Sequence, residues 1–229
     1  MNEDRIGVFL HSLETLNSEV LEAIEREALE AYVPIIRKET QSFLKTLLTI
    51  QKPMRVLEIG TAVGFSAILM SEYLKEEATI TTIEKYEPRI QVARDNFVRA
   101  GKEKQITLLK GDALEILKSL EGPYDFIFMD AAKGQYLTYL PEVLRLLTNE
   151  GVLVSDNVLQ DGDLLESRFV VERRNRTIHA RMREYLYELK HNKALQTSII
   201  PLGDGIACSV KVKEEIKNEE NTGIINSSK

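Results

Sequence analysis

Asp130 ends one apolar run, Tyr124–Met129, and the pair Asp156-Asn157 follows closely on another, Val152–Val154. Two carboxylates and an amide oxygen at adjacent strand ends form a hard, all-oxygen donor set. Such a set suits Mg2+ or Mn2+, with waters or substrate oxygens completing an octahedron. Zinc is disfavoured, because His11, His179 and His191 are the only histidines and none pairs with Cys208 at ligand spacing. Read singly, each aspartate could instead cap the helix that follows it. Lys133 stands three residues after Asp130. A lysine beside a divalent cation is disfavoured as ammonium, which makes it a candidate general base; a surface lysine is the plain alternative.

A second set of residues points to a nucleoside. In Val56-Leu57-Glu58-Ile59-Gly60-Thr61-Ala62-Val63-Gly64-Phe65-Ser66 an apolar strand ends in glycines and runs into a helix. The backbone there can approach a ligand closely, with helix N–H groups facing it. The spacing is Gly-x-x-x-Gly, so the dinucleotide fingerprint Gly-x-Gly-x-x-Gly is absent. Glu84 ends the next strand, where a carboxylate can accept both hydroxyls of a ribose. Gly111-Asp112-Ala113 follows the third, where an adenine could lie. Three such features at the same end of three successive strands favour a nucleoside ligand without a pyrophosphate.

The elements that must hold these residues are legible from periodicity. The first fifty residues read as helices, with Leu13, Leu16, Val20, Leu21, Ile24 and Leu29 at helical spacing, then Phe43, Leu44, Leu47 and Leu48. After Pro53, strands at 55–59, 79–83, 106–109, 124–129 and 152–154 alternate with helices at 65–74, 88–100 and 136–147. That alternation predicts an α/β fold with a parallel sheet covered on both faces. A long helical stretch from about Leu164 to His191 leads to strands at 195–201 and 206–212, joined at Leu202-Gly203-Asp204-Gly205. These form a hairpin, so the sheet has seven strands with the final one antiparallel. Residues 1–213 read as one domain, 1–52 as N-terminal helices and 53–213 as the α/β core, and the polar residues 214–229 as a fraying tail. Met54, Met70 and Cys208 read as core, and the three histidines as surface residues.

The 229 residues carry 30 Lys plus Arg against 36 Asp plus Glu, a net charge of −6. That excludes a uniformly basic nucleic-acid coat but leaves room for a local patch. The single cysteine forms no internal disulfide, and the acidic N-terminus lacks the shape of a signal peptide. No stretch reaches the ~20 apolar residues that span a bilayer. The expectation is a cytoplasmic protein with no membrane partner.

The set Val56–Ser66, Glu84, Gly111-Asp112-Ala113, Asp130-Ala131-Ala132-Lys133 and Asp156-Asn157 resembles the cation-dependent O-methyltransferases of the catechol and caffeoyl-CoA type, from roughly Val33 to Val212. The resemblance implies a Rossmann-like class I S-adenosylmethionine (SAM) methyltransferase fold, a seven-stranded sheet with a reversed final hairpin. It further implies that Ile35 and Ser66 line the methionine end of SAM, with Glu58 and Gly60 shaping that pocket. Glu84 would hold the ribose and Ala113 would abut the adenine. Asp130, Asp156 and Asn157 would bind Mg2+ or Mn2+. Asp130 also borders the cofactor and joins the base Lys133 as catalytic. The catechol enzymes have bulky residues where Ala131 and Ala132 stand, so this chain has a more open mouth. A homodimer is the family expectation.

A divalent cation is best used if two adjacent acceptor oxygens chelate it, one of them losing its proton and attacking the methyl group in line. A catechol fits, and so does 5-hydroxyuridine, whose 5-hydroxyl neighbours the 4-carbonyl. Between Arg168 and Lys193 stand eight Lys/Arg (Arg168, Arg173, Arg174, Arg176, Arg181, Arg183, Lys190, Lys193) against three Glu, a local +5. On one helix, Val171, Ile178, Met182, Tyr185 and Leu189 would be buried, with the arginines on its flanks. Arg173, Arg174, Arg176 and Arg183 are the expected contacts to phosphates around an acceptor nucleotide. This segment and the acidic N-terminal helix resemble the bacterial tRNA 5-hydroxyuridine methyltransferase branch, which makes 5-methoxyuridine at the wobble position. The tRNA anticodon region is then the expected partner. The rivals are a catechol-like small acceptor, an NAD-dependent oxidoreductase and a non-catalytic nucleotide-binding module.

Overall fold

The computed structural model describes residues 3–167 and 169–212. Strands β1 (Arg55–Ile59), β2 (Thr79–Glu84), β3 (Ile106–Lys110), β4 (Tyr124–Met129), β5 (Leu147–Ser155), β6 (Leu195–Ile200) and β7 (Ile206–Lys211) form one sheet in the order β3-β2-β1-β4-β5-β7-β6. The first five run parallel; β7 pairs antiparallel with β5 and with β6. The reversed hairpin expected from Leu202–Gly205 is therefore present, and its second strand is inserted between β5 and β6.

Both faces of the sheet are covered, which is why its strands read as nearly continuous apolar runs. Successive residues point to opposite faces. Val56, Phe126, Phe128, Val152 and Val154 meet helices α2 (Glu19–Glu30), α3 (Lys38–Gln51), α4 (Phe65–Glu72) and α5 (Glu87–Arg99). Leu57, Ile59, Ile127, Met129 and Leu153 meet α6 (Ala113–Ser119), α7 (Tyr136–Leu146) and α8 (Arg176–His191). Helix starts follow local chemistry. The Ser18 side chain accepts from Leu21 N at the start of α2, and Asp112 accepts from Leu114 N at the start of α6. Gly64, at φ +84°, starts α4, where a Cβ would lie 2.6 Å from the Phe97 ring.

Several expectations need correction. The helix expected over 164–191 is α8 alone. Residues 160–165 form a 3-10 turn, and 166–167 and 169–175 are irregular. Gln160 and Gly162 have positive φ, and side chains of α8 take the backbone carbonyls that a continuous helix would need. Arg173 and Arg174 thus sit in a turn before the helix, off the flanks assigned to them. The N-terminal apolar stripe is divided. Leu21 and Ile24 are buried, whereas Leu13, in α1 (Glu3–Leu13), and Leu16, in the loop after it, are exposed. Met54, just before β1, is exposed, its backbone N–H donating to Asp125 Oδ2 of the neighbouring strand. His179 is buried rather than on the surface. Arg168 and the tail from residue 213 onward lie outside the described residues. Among the described residues, no helix is long and apolar enough to cross a membrane.

Candidate active site

The parallel ladder continues one residue beyond each of three central strands. Gly60 N donates to Ile83 O (3.1 Å), Asp130 N to Ile59 O (3.1 Å) and Asp156 N to Met129 O (3.0 Å). Gly60, Asp130 and Asp156 therefore stand side by side at the carboxyl edge of the sheet, where open α/β sheets bind ligands. Gly60 has φ +106°, and a Cβ on it would lie 2.0 Å from Asp130 O. Only glycine lets β1 and β4 converge here. A cavity of about 730 Å3 opens above this edge. Ile35, Gly60, Ser66, Glu84, Ala113, Asp130, Lys133 and Asn157 all line it. Residues expected around a nucleoside and two expected around a cation, Asp130 and Asn157, thus share one cavity, whereas Glu58 and Asp156 do not line it.

Glu58 lies beneath that floor, fully buried. Ser66 Oγ donates to its Oε1 and Thr82 Oγ1 to its Oε2, while Thr82 also bonds Thr61 Oγ1 at 2.6 Å. Burial pushes the Glu58 carboxyl up to about 7, and the two hydroxyl donors oppose that rise. Glu84 is pinned by its own neighbourhood. Ala62 N donates to its Oε2 (2.9 Å), and Lys85 N and Tyr86 N to its Oε1 (2.8 Å each). That fixes the carboxylate at the cavity wall with lone pairs left for ligand hydroxyls.

At the other end, Asp156 is 1% exposed and sits behind Asn157, which itself has φ +54° and lines the cavity. Asp156 Oδ1 accepts from Asn157 N (2.8 Å) and from Thr40 Oγ1 of α3 (3.4 Å). Burial, and after it the charge of Asp130, push the Asp156 carboxyl up to about 7. Asp130 is also raised by burial, against the pull of Lys133. A buried carboxylate whose ionisation a neighbouring carboxylate disfavours is what a bound cation would relieve. Among the described residues, no group of three or more His, Cys, Asp and Glu side chains could hold a metal. A cation here would therefore take Asp130, Asp156, the Asn157 amide and oxygens from water or substrate, a donor set that fits Mg2+ or Mn2+.

Two residues of this end escaped the sequence reading. Asp204 belongs to the Leu202–Gly205 turn, which reads in sequence only as a hairpin connection. It is 4% exposed, and its Oδ2 lies 3.3 Å from Lys133 Nζ. The Leu159 N bond to Asp204 O (2.9 Å) brings the turn over the end of β5. Tyr136 begins α7 and is fully buried. Its hydroxyl oxygen lies 3.2 Å from Ala131 N, 3.2 Å from Met129 O and 3.1 Å from Asp156 O. One hydroxyl thus ties the segments carrying Asp130 and Asp156. An apolar helix face containing a tyrosine gave no sequence signal for this.

None of the four expected phosphate contacts lines the cavity. Arg173 is exposed; Arg174 is also exposed and pairs with Glu172 at 2.7 Å. Arg176 donates to Phe169 O and Val171 O, and Arg183 to Leu164 O.

Comparison with known proteins agrees with this geometry. The O-methyltransferase family model matches residues 11–212. The catechol O-methyltransferase of Niastella koreensis is 33% identical over 71% of this chain and 76% of its own. That of Mycobacterium tuberculosis is 33% identical over 72% and 76%. The structure of a Staphylococcus aureus protein assigned as a caffeoyl-CoA O-methyltransferase is 30% identical, with a TM-score of 0.80 over 91% of this chain and 98% of that one. The O-methyltransferase TomG of Streptomyces achromogenes, solved in complex with SAM, shares the fold with a TM-score of 0.81 at 23% identity, over 93% and 100%. An edge of glycine, carboxylates and lysine on a seven-stranded sheet, together with these matches, means that the chain belongs to the O-methyltransferase family, the SAM-dependent enzymes of catechol and caffeoyl-CoA type.

Proposed function

We propose that the chain methylates 5-hydroxyuridine at the tRNA wobble position to 5-methoxyuridine, with SAM as donor and a divalent cation bound by Asp130, Asp156 and Asn157. The observation that carries this reading is the small-residue mouth. Ala131 is half-buried and Ala132 exposed where the cavity meets Lys133, so these two positions present small side chains at the acceptor end, leaving room for a nucleotide within a larger molecule. Exposed Arg173 and Arg174, and the donors left over on Arg176 and Arg183, supply charge for neighbouring phosphates. When bound, the cation would lower the pKa of the acceptor hydroxyl and orient it.

The chain's own residues do the rest. Glu84 holds the ribose, and the Gly60 turn lets the donor lie against the strand ends. Lys133 Nζ, set in place by Asp204 and acting as the neutral amine, receives the acceptor proton to become ammonium as the oxygen attacks the methyl carbon in line and the sulfonium sulfur leaves with its bonding electrons; the ammonium then gives that proton to solvent. The products are a methyl ether, S-adenosylhomocysteine and a proton. A small catechol is the second reading, favoured by the relatives named catechol O-methyltransferase.

The deciding experiment is methyl transfer from labelled SAM to tRNA from a strain lacking this protein, with and without EDTA, beside a catechol. Label in tRNA that EDTA abolishes is the expected result. Label in the catechol alone overturns the tRNA reading, and label in tRNA unaffected by EDTA overturns the cation.

A further inference from the structure

One wall of the main cavity is built by residues 34–37, which lie between α2 and α3 and form neither helix nor strand. Pro34, Ile35 and Ile36 give this wall its apolar character. Such a stretch has no ladder to hold it, so where its backbone groups go decides how firmly it is fixed. Val33 N donates to Ala28 O (2.8 Å), and Arg37 O accepts from Gln41 N (2.9 Å). Between these two ends, Ile36 O accepts from a side chain, Gln41 Nε2, at 3.1 Å.

Gln41 stands near the start of α3 and is 1% exposed. Nε2 donates both to Ile36 O and to Glu25 Oε1 of α2 (3.3 Å), while Oε1 accepts from Asn17 Nδ2 (3.0 Å). The amide has one orientation, because a main-chain carbonyl can only accept and the nitrogen must therefore face Ile36. Glu25 is also buried and is anchored by Lys38 Nζ at 2.6 Å. Glu22, 3.7 Å from the same nitrogen, accepts from Asn17 N (2.9 Å). One polar network thus joins the loop before α2, α2 itself, the cavity wall and the start of α3.

Burying such a network is costly where apolar side chains could pack instead. The two helices do not need it for cohesion, since Leu21, Ile24, Leu44 and Leu48 already sink both into the core. Gln41, Glu25 and Asn17 do not line the cavity, so they act on it only through the wall. What the network supplies is a fixed place for Ile36 O. A wall held in place beforehand spares a ligand the ordering of it. We propose that Gln41, oriented by Asn17 and Glu25, is a positioning residue for the cofactor, fixing the 34–37 wall against which SAM binds. This rests on SAM occupying the main cavity and is independent of the acceptor.

The test uses the full chain, with SAM affinity read by calorimetric titration and kcat on whichever acceptor the wild type methylates. Gln41→Met keeps the side-chain volume and removes every polar bond. It is expected to weaken SAM binding about tenfold, while kcat at saturating SAM falls less than about threefold. Amide exchange should accelerate at 33–37 and not in the sheet. Gln41→Glu keeps the oxygen that Asn17 contacts but loses the donor to Ile36 O, and should weaken SAM binding at least as much. Asn17→Ala, at a half-buried loop position, leaves the amide free to turn and should weaken SAM binding about threefold. It gives the answer if neither Gln41 variant folds. An unchanged SAM Kd in folded Gln41→Met, or in Asn17→Ala where the Gln41 variants do not fold, overturns the proposal. So does a fall in kcat at saturating SAM that matches the loss of affinity. A wild type that binds no SAM overturns the cofactor reading itself, which tells the two failures apart.

Discussion

Replacing Glu58 with glutamine should make the cofactor-free protein more stable at neutral and alkaline pH. The folded-state carboxyl lies near 7, against an ordinary value of 4.5, a rise worth about 3 kcal/mol at full effect. Glu58 is fully buried, so solvent does not screen this cost. A raised carboxyl binds its proton more tightly in the folded chain than in the unfolded one. Its stabilising effect is therefore complete below the unfolded pKa and is lost as pH climbs through about 7. Glutamine does not titrate and can still satisfy the site. Its oxygen accepts from Ser66, and its amide donates to Thr82 Oγ1, which then donates to Thr61. Urea unfolding of both proteins from pH 5 to 8.5, with EDTA and without SAM, isolates the effect. Asp130 and Asp156 titrate in both proteins and largely cancel in the difference. The variant should gain about 2–3 kcal/mol on the wild type across that range. A difference flat in pH would refute the reasoning and mean that Glu58 is ionised in the folded chain throughout.

Tyr136→Phe should leave Ala131 N without its hydroxyl partner and loosen the tie between the Asp130 and Asp156 segments. A stability loss of about 1–3 kcal/mol in denaturant is expected, with a fall in kcat larger than the fall in SAM affinity measured by calorimetry. Gly60→Ala should abolish SAM binding, because its Cβ would overlap Asp130 O; calorimetric titration reads it directly. Lys133→Met should lower kcat at least about a hundredfold while SAM binding persists, the usual scale for losing a general base. Asp204→Asn should lower kcat less than Lys133→Met, since it removes the charge that fixes Nζ and keeps the lysine. Steady-state rates at saturating SAM check both.

The α/β architecture was legible because strands buried on both faces read as unbroken apolar runs, and their spacing by amphipathic helices leaves little freedom of order. The site's main chain was legible for a related reason. Gly60, Glu84, Asp130 and Asp156 each lie at or one step past a strand end, and parallel strands in register bring such positions to one edge. The helical reading of 164–175 failed because periodicity measures which side chains could be buried together and is blind to competition for backbone carbonyls. Arg176, His179 and Arg183 win that competition from α8.

The sequence by itself determined the sheet, the edge at which its strands end, and which glycine and carboxylate positions fall along that edge. All of these follow from local periodicity and from residue types at element ends. Tertiary structure alone decided that Asp204 reaches Lys133, that the Tyr136 hydroxyl ties two strand ends, and that two arginines expected at an RNA surface hold backbone carbonyls ahead of α8. Apart from the Arg176 bonds, which span 5 and 7 residues, these contacts join residues distant in the chain, from Arg183 and Leu164, 19 apart, to Asp204 and Lys133, 71 apart. Tyr136 and Asp156 are separated by 20. No pattern along the sequence fixes such pairs until the sheet has closed and the helices have packed upon it.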